Sequence, residues 1–251
     1  MPSTRGLVWI TGASSGIGRA LAIDMAREGW TVAASARGRD DLDRLAAEAH
    51  GRIHAHPLDV TDAAACDRAV AEIESAHGPI DIAVLNAGSH RPMGAADFDA
   101  AAFTALVDLN LLGTVRSLAP VMAAMIARGG GRIAVVASLA GYRGLPTAAA
   151  YGASKAALIN MTEALRPDLA KSGVTIQVVN PGFVRTPLTD RNPFPMPYLM
   201  DADRAARRFR RGLDGGAFEI VFPRRFAYLL KVMRVLPYWL YFRMVVWTTG
   251  K

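Results

Sequence analysis

The sequence predicts a single α/β domain spanning residues 1–251: a doubly wound parallel sheet of about seven strands, with helices on both faces. Three observations predict it. Short apolar runs alternate with alanine-rich segments over the first 180 residues, with no repeat, linker or low-complexity stretch between them. The length, 251 residues with 51% hydrophobic and 20% charged, suits one large core and argues against disorder. A glycine cluster follows the first apolar run directly, where such a sheet turns into its first helix.

The runs at 6–11, 31–36, 52–57, 80–85, 132–137, 175–179 and, more weakly, 218–222 have the length and composition of buried strands. Between them, 17–28, 40–49, 63–76, 99–127 and 153–171 are long enough for helices. Parallel strands need crossovers, and the crossovers supply the covering layers. After Pro181 the pattern loosens. Pro187, Pro193, Pro195 and Pro197 forbid a continuous helix, so 185–213 is expected to form a substrate lid that ends in a short basic helix at 201–213. The lid segment Phe194-Pro195-Met196-Pro197-Tyr198-Leu199-Met200 is apolar.

Charge is unevenly placed. Residues 1–200 carry 18 basic and 18 acidic residues, whereas 201–251 carry 11 and 4, so the net +7 belongs to the last fifth of the chain. A neutral body argues against nucleic acid. Of Arg204, Arg207, Arg208, Arg210 and Arg211, two face opposite sides of any helix, and no aromatic stacking platform accompanies them. The single cysteine, Cys66, excludes a disulfide framework. His50, His54, His56, His77 and His90 share no metal-ligand spacing, so no metal is expected and loop or surface roles are assigned to them. No Gly-x-Ser-x-Gly elbow marks a hydrolase. The N-terminus shows no secretory signal, which suggests a cytoplasmic protein.

Leu7-Val8-Trp9-Ile10 runs into Thr11-Gly12-Ala13-Ser14-Ser15-Gly16-Ile17-Gly18-Arg19, and a helix follows. Glycines let a backbone approach a ligand closely, and a helix start offers unpaired N–H groups to an anion, so this turn suits a nucleotide phosphate. Its Thr-Gly-x-x-x-Gly-x-Gly spacing resembles the short-chain dehydrogenase/reductase family, a Rossmann-type fold, over about residues 6–187. Further motifs carry the likeness: Asp59-Val60 after the third strand, Asn86-Ala87-Gly88 after the fourth, then Asn110, Ser138, Tyr151 and Lys155, then Pro181-Gly182 with Val184 and Thr186.

The resemblance implies a nicotinamide cofactor held by Gly12, Ser14, Ser15, Gly16, Ile17, Gly18, Asp59, Val60, Asn86, Ala87, Gly88, Tyr151, Lys155, Pro181, Gly182, Val184 and Thr186. The second strand ends Ser35-Ala36-Arg37, with no carboxylate to accept the ribose hydroxyls. A guanidinium there suits a phosphate, so NADP(H) is expected over NAD(H), with Arg37 on the 2′-phosphate. Tyr151 and Lys155 are four apart at the helical run 153–171 and project from one face. A phenol titrates near ~10, and an ammonium beside it favours the phenolate. Ser138 ends the fifth strand and can hold a carbonyl oxygen as charge develops. By resemblance, Asn110 positions a water leading from Lys155 to solvent. Hydride transfer to a ketone, or from a secondary alcohol, with Tyr151 as the acid or base is the expected reaction. A non-catalytic nucleotide sensor on the same fold is the alternative.

Family members commonly end soon after the last strand, and dimers and tetramers prevail among them, so a homodimer or homotetramer is expected. This chain continues through a basic, aromatic extension, 223–251. Lys231, Arg234, Pro237 and Arg243 interrupt it too often for a membrane span. Two readings stay open. Either the extension lies on a membrane surface at the cytoplasmic face, or its apolar side packs on the body or a partner subunit. The first favours a lipid-like substrate such as a 3-oxo lipid, a ketosphinganine-like molecule or a sterol.

Overall fold

All seven apolar runs expected as strands enter one sheet. The computed structural model describes residues 5–49, 51–190 and 196–249. His50 and residues 191–195 of the expected lid, Phe194 and Pro195 among them, lie outside the described residues. In chain order the elements are β1 (Leu7–Thr11), α1 (Gly16–Arg27), β2 (Thr31–Ser35), α2 (Arg39–Ala47), β3 (Ile53–Ala55), α3 (Ala63–His77) and β4 (Ile80–Leu85). There follow α4 (Ala100–Val107), α5 (Gly113–Ala127), β5 (Gly131–Val136), α6 (Ala149–Lys171), β6 (Val174–Pro181), β7 (Val184–Arg185) and β8 (Met200–Asp201). The chain closes with α7 (Ala202–Asp214), β9 (Glu219–Phe222), α8 (Arg224–Val235) and α9 (Tyr238–Thr249).

The main sheet has the order β3-β2-β1-β4-β5-β6-β9, and every pair in it is parallel. The winding reverses between β1 and β4, so the loops at their carboxyl ends part and leave a crevice. Alternate strand residues feed two cores. Trp9, Ile133 and Val178 face the side covered by α3, α5 and α6, while Val8, Ile10 and Val179 face α1, α2 and α7. Trp9 is fully buried and satisfies its indole by donating Nε1–H to Ser35 Oγ at 3.0 Å.

Three features departed from the simple pattern. The single helix expected at 99–127 is α4 and α5 joined by a π-helical turn, Asp108–Leu112, in which the Gly113 N–H reaches back to Asp108 O. The extra residue in that turn turns Asn110 fully inward. The helix expected from 153 begins at Ala149, so Tyr151 lies within it. In the expected lid, the described residues 186–190 and 196–199 lie outside helices, between β7 and β8, which pair with each other. Residues 202–213 belong to α7, whose Ala205, Ala206, Phe209 and Leu213 are buried, each large side chain worth about 2 kcal/mol. Arg210 of α7 pairs with Asp24 at 2.7 Å and Glu28 at 3.0 Å on α1, so this arginine is engaged within the fold.

Three of the histidines expected in loop or surface roles meet one another. His54 and His56, on and just after β3, meet His77 at the end of α3. The His54 and His77 rings stack at 4.3 Å, and the His56 and His77 Nε2 atoms lie 3.1 Å apart. Burial, then the neighbouring His77 and His54, hold His56 below its ordinary value. Among the described residues no group of three or more His, Cys, Asp or Glu is arranged to hold a metal ion.

Candidate active site

The β1–α1 turn is built on close backbone contact. Gly12 has φ +66°, and a Cβ there would lie 2.8 Å from Ala87 Cα; a Cβ on Gly18 would overlap the Gly12 carbonyl oxygen. Only glycine fits both places. Thr11, which sequence reasoning did not single out, locks the turn to the loop after β4. Its Oγ1 accepts from Asn86 N at 3.0 Å and Ala87 N at 3.1 Å. Asn86 returns Nδ2 to the Thr11 and Gly12 carbonyls, both at 3.1 Å. Asn86 thus shapes the cradle through its side chain. Ser15 is the extended residue before α1 and makes no side-chain cap, which leaves the first N–H groups facing the crevice beside Ser14 and the half-buried Ile17.

The cradle gathers its other walls from distant segments. Thr186 Cγ2 lies 3.1 Å from where Gly16 would carry a Cβ, which brings the loop after β6 onto the turn. Pro181 ends β6, Gly182 donates its N–H to Phe222 O at 2.8 Å, and Val184 is buried in β7. At the end of β2 the Arg37 side chain is exposed and, among the described residues, has no ion-pair partner. Asp59 accepts from Thr61 N at 2.9 Å and Thr61 Oγ1 at 2.8 Å, which with Arg37 nearby holds its carboxyl below the ordinary value. Val60 is buried against Gly113 of α5. This glycine cradle at the switch point has the form a dinucleotide requires, with its phosphates at the start of α1.

Across the crevice, Ser138 precedes a 3-10 turn, Leu139–Gly141, and its Oγ accepts from Ala140 N at 3.1 Å. It can also donate to Pro181 O at 3.4 Å. Tyr151 and Lys155 lie one turn apart on α6, with Lys155 Nζ 5.8 Å from the Tyr151 ring centre. Lys155 is 4% exposed and donates to Val136 O at 2.8 Å. Burial lowers its pKa from 10.5 to about 8, which leaves it an ammonium at neutral pH. Burial raises the Tyr151 phenol, and a hydrogen bond with Ser138 acts against that rise.

Asn110 ties these parts together. Its Oδ1 accepts from Ser89 N at 2.8 Å, and its Nδ2 donates to Ser89 O at 3.0 Å and Ser154 Oγ at 3.2 Å. The loop carrying Gly88 is thereby held over α6, where a Cβ on Gly88 would stand 3.6 Å from Lys155 Nζ. His90, expected in a loop or surface role, lies in the loop after β4. It sits edge-on against Tyr151, ring centres 4.7 Å apart, with Nδ1 buried and without a partner among the described residues. Burial holds its pKa low, so it faces the phenol as a neutral ring.

The extension supplies one wall. Phe226 of α8 stacks on Phe183 at 5.7 Å and meets Tyr198 of the lid at 6.0 Å. Glu219 anchors α8 by accepting from Lys231, Tyr142 and Asn180 at once. Leu230 and Met233 of α8 and Tyr241 of α9 close against Leu139, Tyr142, Arg143 and Leu145 of the body. Packing on the body, one of the two open readings of the extension, therefore holds for those side chains.

A glycine cradle at a helix start and a tyrosine one turn from a buried lysine define a nucleotide-dependent redox enzyme. The chain matches the family described as short chain dehydrogenase over residues 6–193. It is 38% identical over 231 residues to an uncharacterised oxidoreductase of Myxococcus xanthus, covering 91% of each chain. It is 35% identical over 187 residues to the 3-oxoacyl-(acyl-carrier-protein) reductase of Thermotoga maritima, covering 73% of this chain and 76% of that one. The structure of an alcohol dehydrogenase from the archaeon Thermococcus sibiricus, complexed with 5-hydroxy-NADP, superposes with TM-score 0.78 at 26% identity, over 86% of this chain and 95% of that one. The protein belongs to the short-chain dehydrogenase family, and it is an oxidoreductase of the kind that acts on CH–OH groups with a nicotinamide dinucleotide.

Proposed function

We propose that the protein is an NADPH-dependent reductase of ketones, working in the cytoplasm on an apolar, lipid-like substrate. The observation that carries the chemistry is the convergence of Ser138, Tyr151 and Lys155 at the carboxyl edge of β5. The nicotinamide, when bound, supplies the hydride. Ser138 Oγ and the Tyr151 hydroxyl donate to the substrate oxygen. Tyr151, kept protonated by burial, then delivers its proton as negative charge grows there. The Lys155 ammonium steadies the phenolate left behind, and His90 packs against the same ring. Asn110 holds Ser154 and the Gly88 loop in register with that helix. Its Oδ1 accepts one hydrogen bond and has a second lone pair, so we assign any water relay from Lys155 to solvent to Asn110.

For the cofactor, an unpaired Arg37 and the lack of a carboxylate at the end of β2 support NADPH. For the substrate, Phe183, Tyr198 and Phe226 present an apolar rim beside Ser138, and a relative bears the name of an oxoacyl reductase. Residues 185–213, expected as the substrate lid, are proposed to cover that rim, with Tyr198 among the residues at its edge. Exposed Leu112, Val115 and Ile126 offer apolar surface for a homodimer or homotetramer.

The test is NADPH oxidation against 3-oxo substrates graded by chain length. Tyr151→Phe should lower kcat about 1,000-fold with NADPH affinity unchanged. Unchanged turnover in that variant would sink the mechanism. Tight NADPH binding with no turnover of any substrate would favour the nucleotide sensor instead.

A further inference from the structure

Helices α8 and α9 each have a second apolar stripe, opposite the one that packs on the body. On α8, Ala227 and Leu230 are buried while Tyr228, Val232 and Val235 stand exposed one turn apart, Val235 at 80%. On α9, Tyr241 and Val245 are buried while Trp239, Phe242 and Val246 recur at helical spacing on the outer side, with Trp247, at 86%, beyond them. Isolated apolar residues on a surface mean little, but exposed apolar stripes on two consecutive helices mark a binding surface.

The charges around these stripes identify the occupant. Residues 223–251 contain Arg224, Arg225, Lys231, Arg234, Arg243 and Lys251 and no acidic residue. Of these, Lys231 is paired with Glu219 of the body; Arg224, Arg225, Arg234 and Arg243 are exposed. A second copy docking extension to extension would set cation against cation with no carboxylate in 223–251 to relieve it. Tyrosine, tryptophan and basic side chains bordering an apolar stripe are the composition of an element lying in a lipid interface. Each helix has 12 residues, too short to span a bilayer, which needs about 20. We infer that the exposed sides of α8 and α9 dock on an anionic lipid bilayer, their aromatic side chains at the headgroup boundary and their arginines on lipid phosphates.

The placement has a consequence for access. Phe226 follows the exposed Arg224–Arg225 pair directly and touches Tyr198 of the lid. A docked extension brings the apolar rim of the crevice close to the lipid. That consequence rests on the reductase reading; the docking itself does not.

Flotation of the full-length protein with phosphatidylcholine vesicles, with and without phosphatidylglycerol, tests it. Binding is expected on anionic vesicles only, weakened by salt, with a blue shift of tryptophan emission from Trp239 and Trp247. Each basic group near such a surface is worth about 5-fold in partitioning, so Arg224→Gln/Arg225→Gln/Arg243→Gln should bind roughly 100-fold more weakly. Val232→Ser/Val235→Ser should also release the protein. Both variants change exposed side chains, so their unfolding midpoint and turnover of a short soluble ketone should match wild type. Failure of wild type to float on anionic vesicles, or wild-type binding by the triple variant, overturns the inference. So does a change in oligomer mass with Trp239→Ser, which would place a second copy on this face. An inactive protein that still floats defeats the reductase reading alone, and an active one that never floats defeats the docking alone.

Discussion

Replacing Lys155 by methionine separates what this lysine does for the reaction from what it does to the fold. The side chain is 4% exposed, and burial brings its pKa from 10.5 to about 8. Below pH 8 the folded chain carries a buried ammonium, a penalty of about 3 kcal/mol. The unfolded chain keeps its proton to 10.5, so between 8 and 10.5 unfolding takes up a proton and rising pH stabilises the fold. The penalty is complete below about 8 and gone above 10.5. Methionine keeps the aliphatic length but gives up the hydrogen bond to Val136 O, a loss of about 1 kcal/mol that does not vary with pH. Without added cofactor, Lys155→Met should be about 2 kcal/mol more stable than wild type at pH 7, raising Tm by roughly 4–8 °C. That advantage should shrink by about 2.5 kcal/mol on going to pH 10. Urea unfolding of both proteins at pH 7, 8, 9 and 10 measures it. The difference between the proteins cancels the tyrosines and the other lysines. Equal differences at pH 7 and pH 10, or a less stable variant at pH 7, would refute the argument. Reductase turnover should fall at least 100-fold in the same variant, because function keeps a charge where the fold would prefer none.

Two other substitutions probe the cradle. Gly18→Ala forces a Cβ into the Gly12 carbonyl oxygen, a backbone atom that cannot swing aside; it should destabilise the protein by at least about 3 kcal/mol in urea and weaken nucleotide binding. A variant of wild-type stability would show that the turn is looser than this contact. Arg37→Asp removes the guanidinium proposed for the 2′-phosphate; fluorescence titration should show NADPH binding roughly 10–100-fold weaker, with NADH unaffected or improved. Equal effects on the two nucleotides would remove Arg37 from that role.

Much of the fold is local information. Alternating apolar runs such as 80–85, which becomes β4 residue for residue, need only periodicity and length to be recognised. The glycine turn is equally legible, because Gly12 and Gly18 stand where no other residue would fit. The catalytic order Asn110, Ser138, Tyr151, Lys155 was readable through its likeness to a family. What each side chain touches was not. Thr11 meets Asn86 and Ala87 across 75 or more positions of sequence, and His90 meets Tyr151 only once α6 is laid against the loop after β4.

Composition and spacing by themselves determined the sheet, its covering helices, the phosphate-binding turn and the concentration of positive charge beyond residue 200. Each of these depends on neighbours a few residues apart. The tertiary structure decided the rest. It turned Asn110 inward through an extra residue in a helix, gathered three histidines from two elements, and fixed α7 to α1 through Arg210. For the extension it allowed both apolar faces: one closed on the body, the other left to solvent. A helix advertises in its sequence how apolar each side is. Which side is covered depends on the surface it meets, and that surface exists only when distant segments have come together.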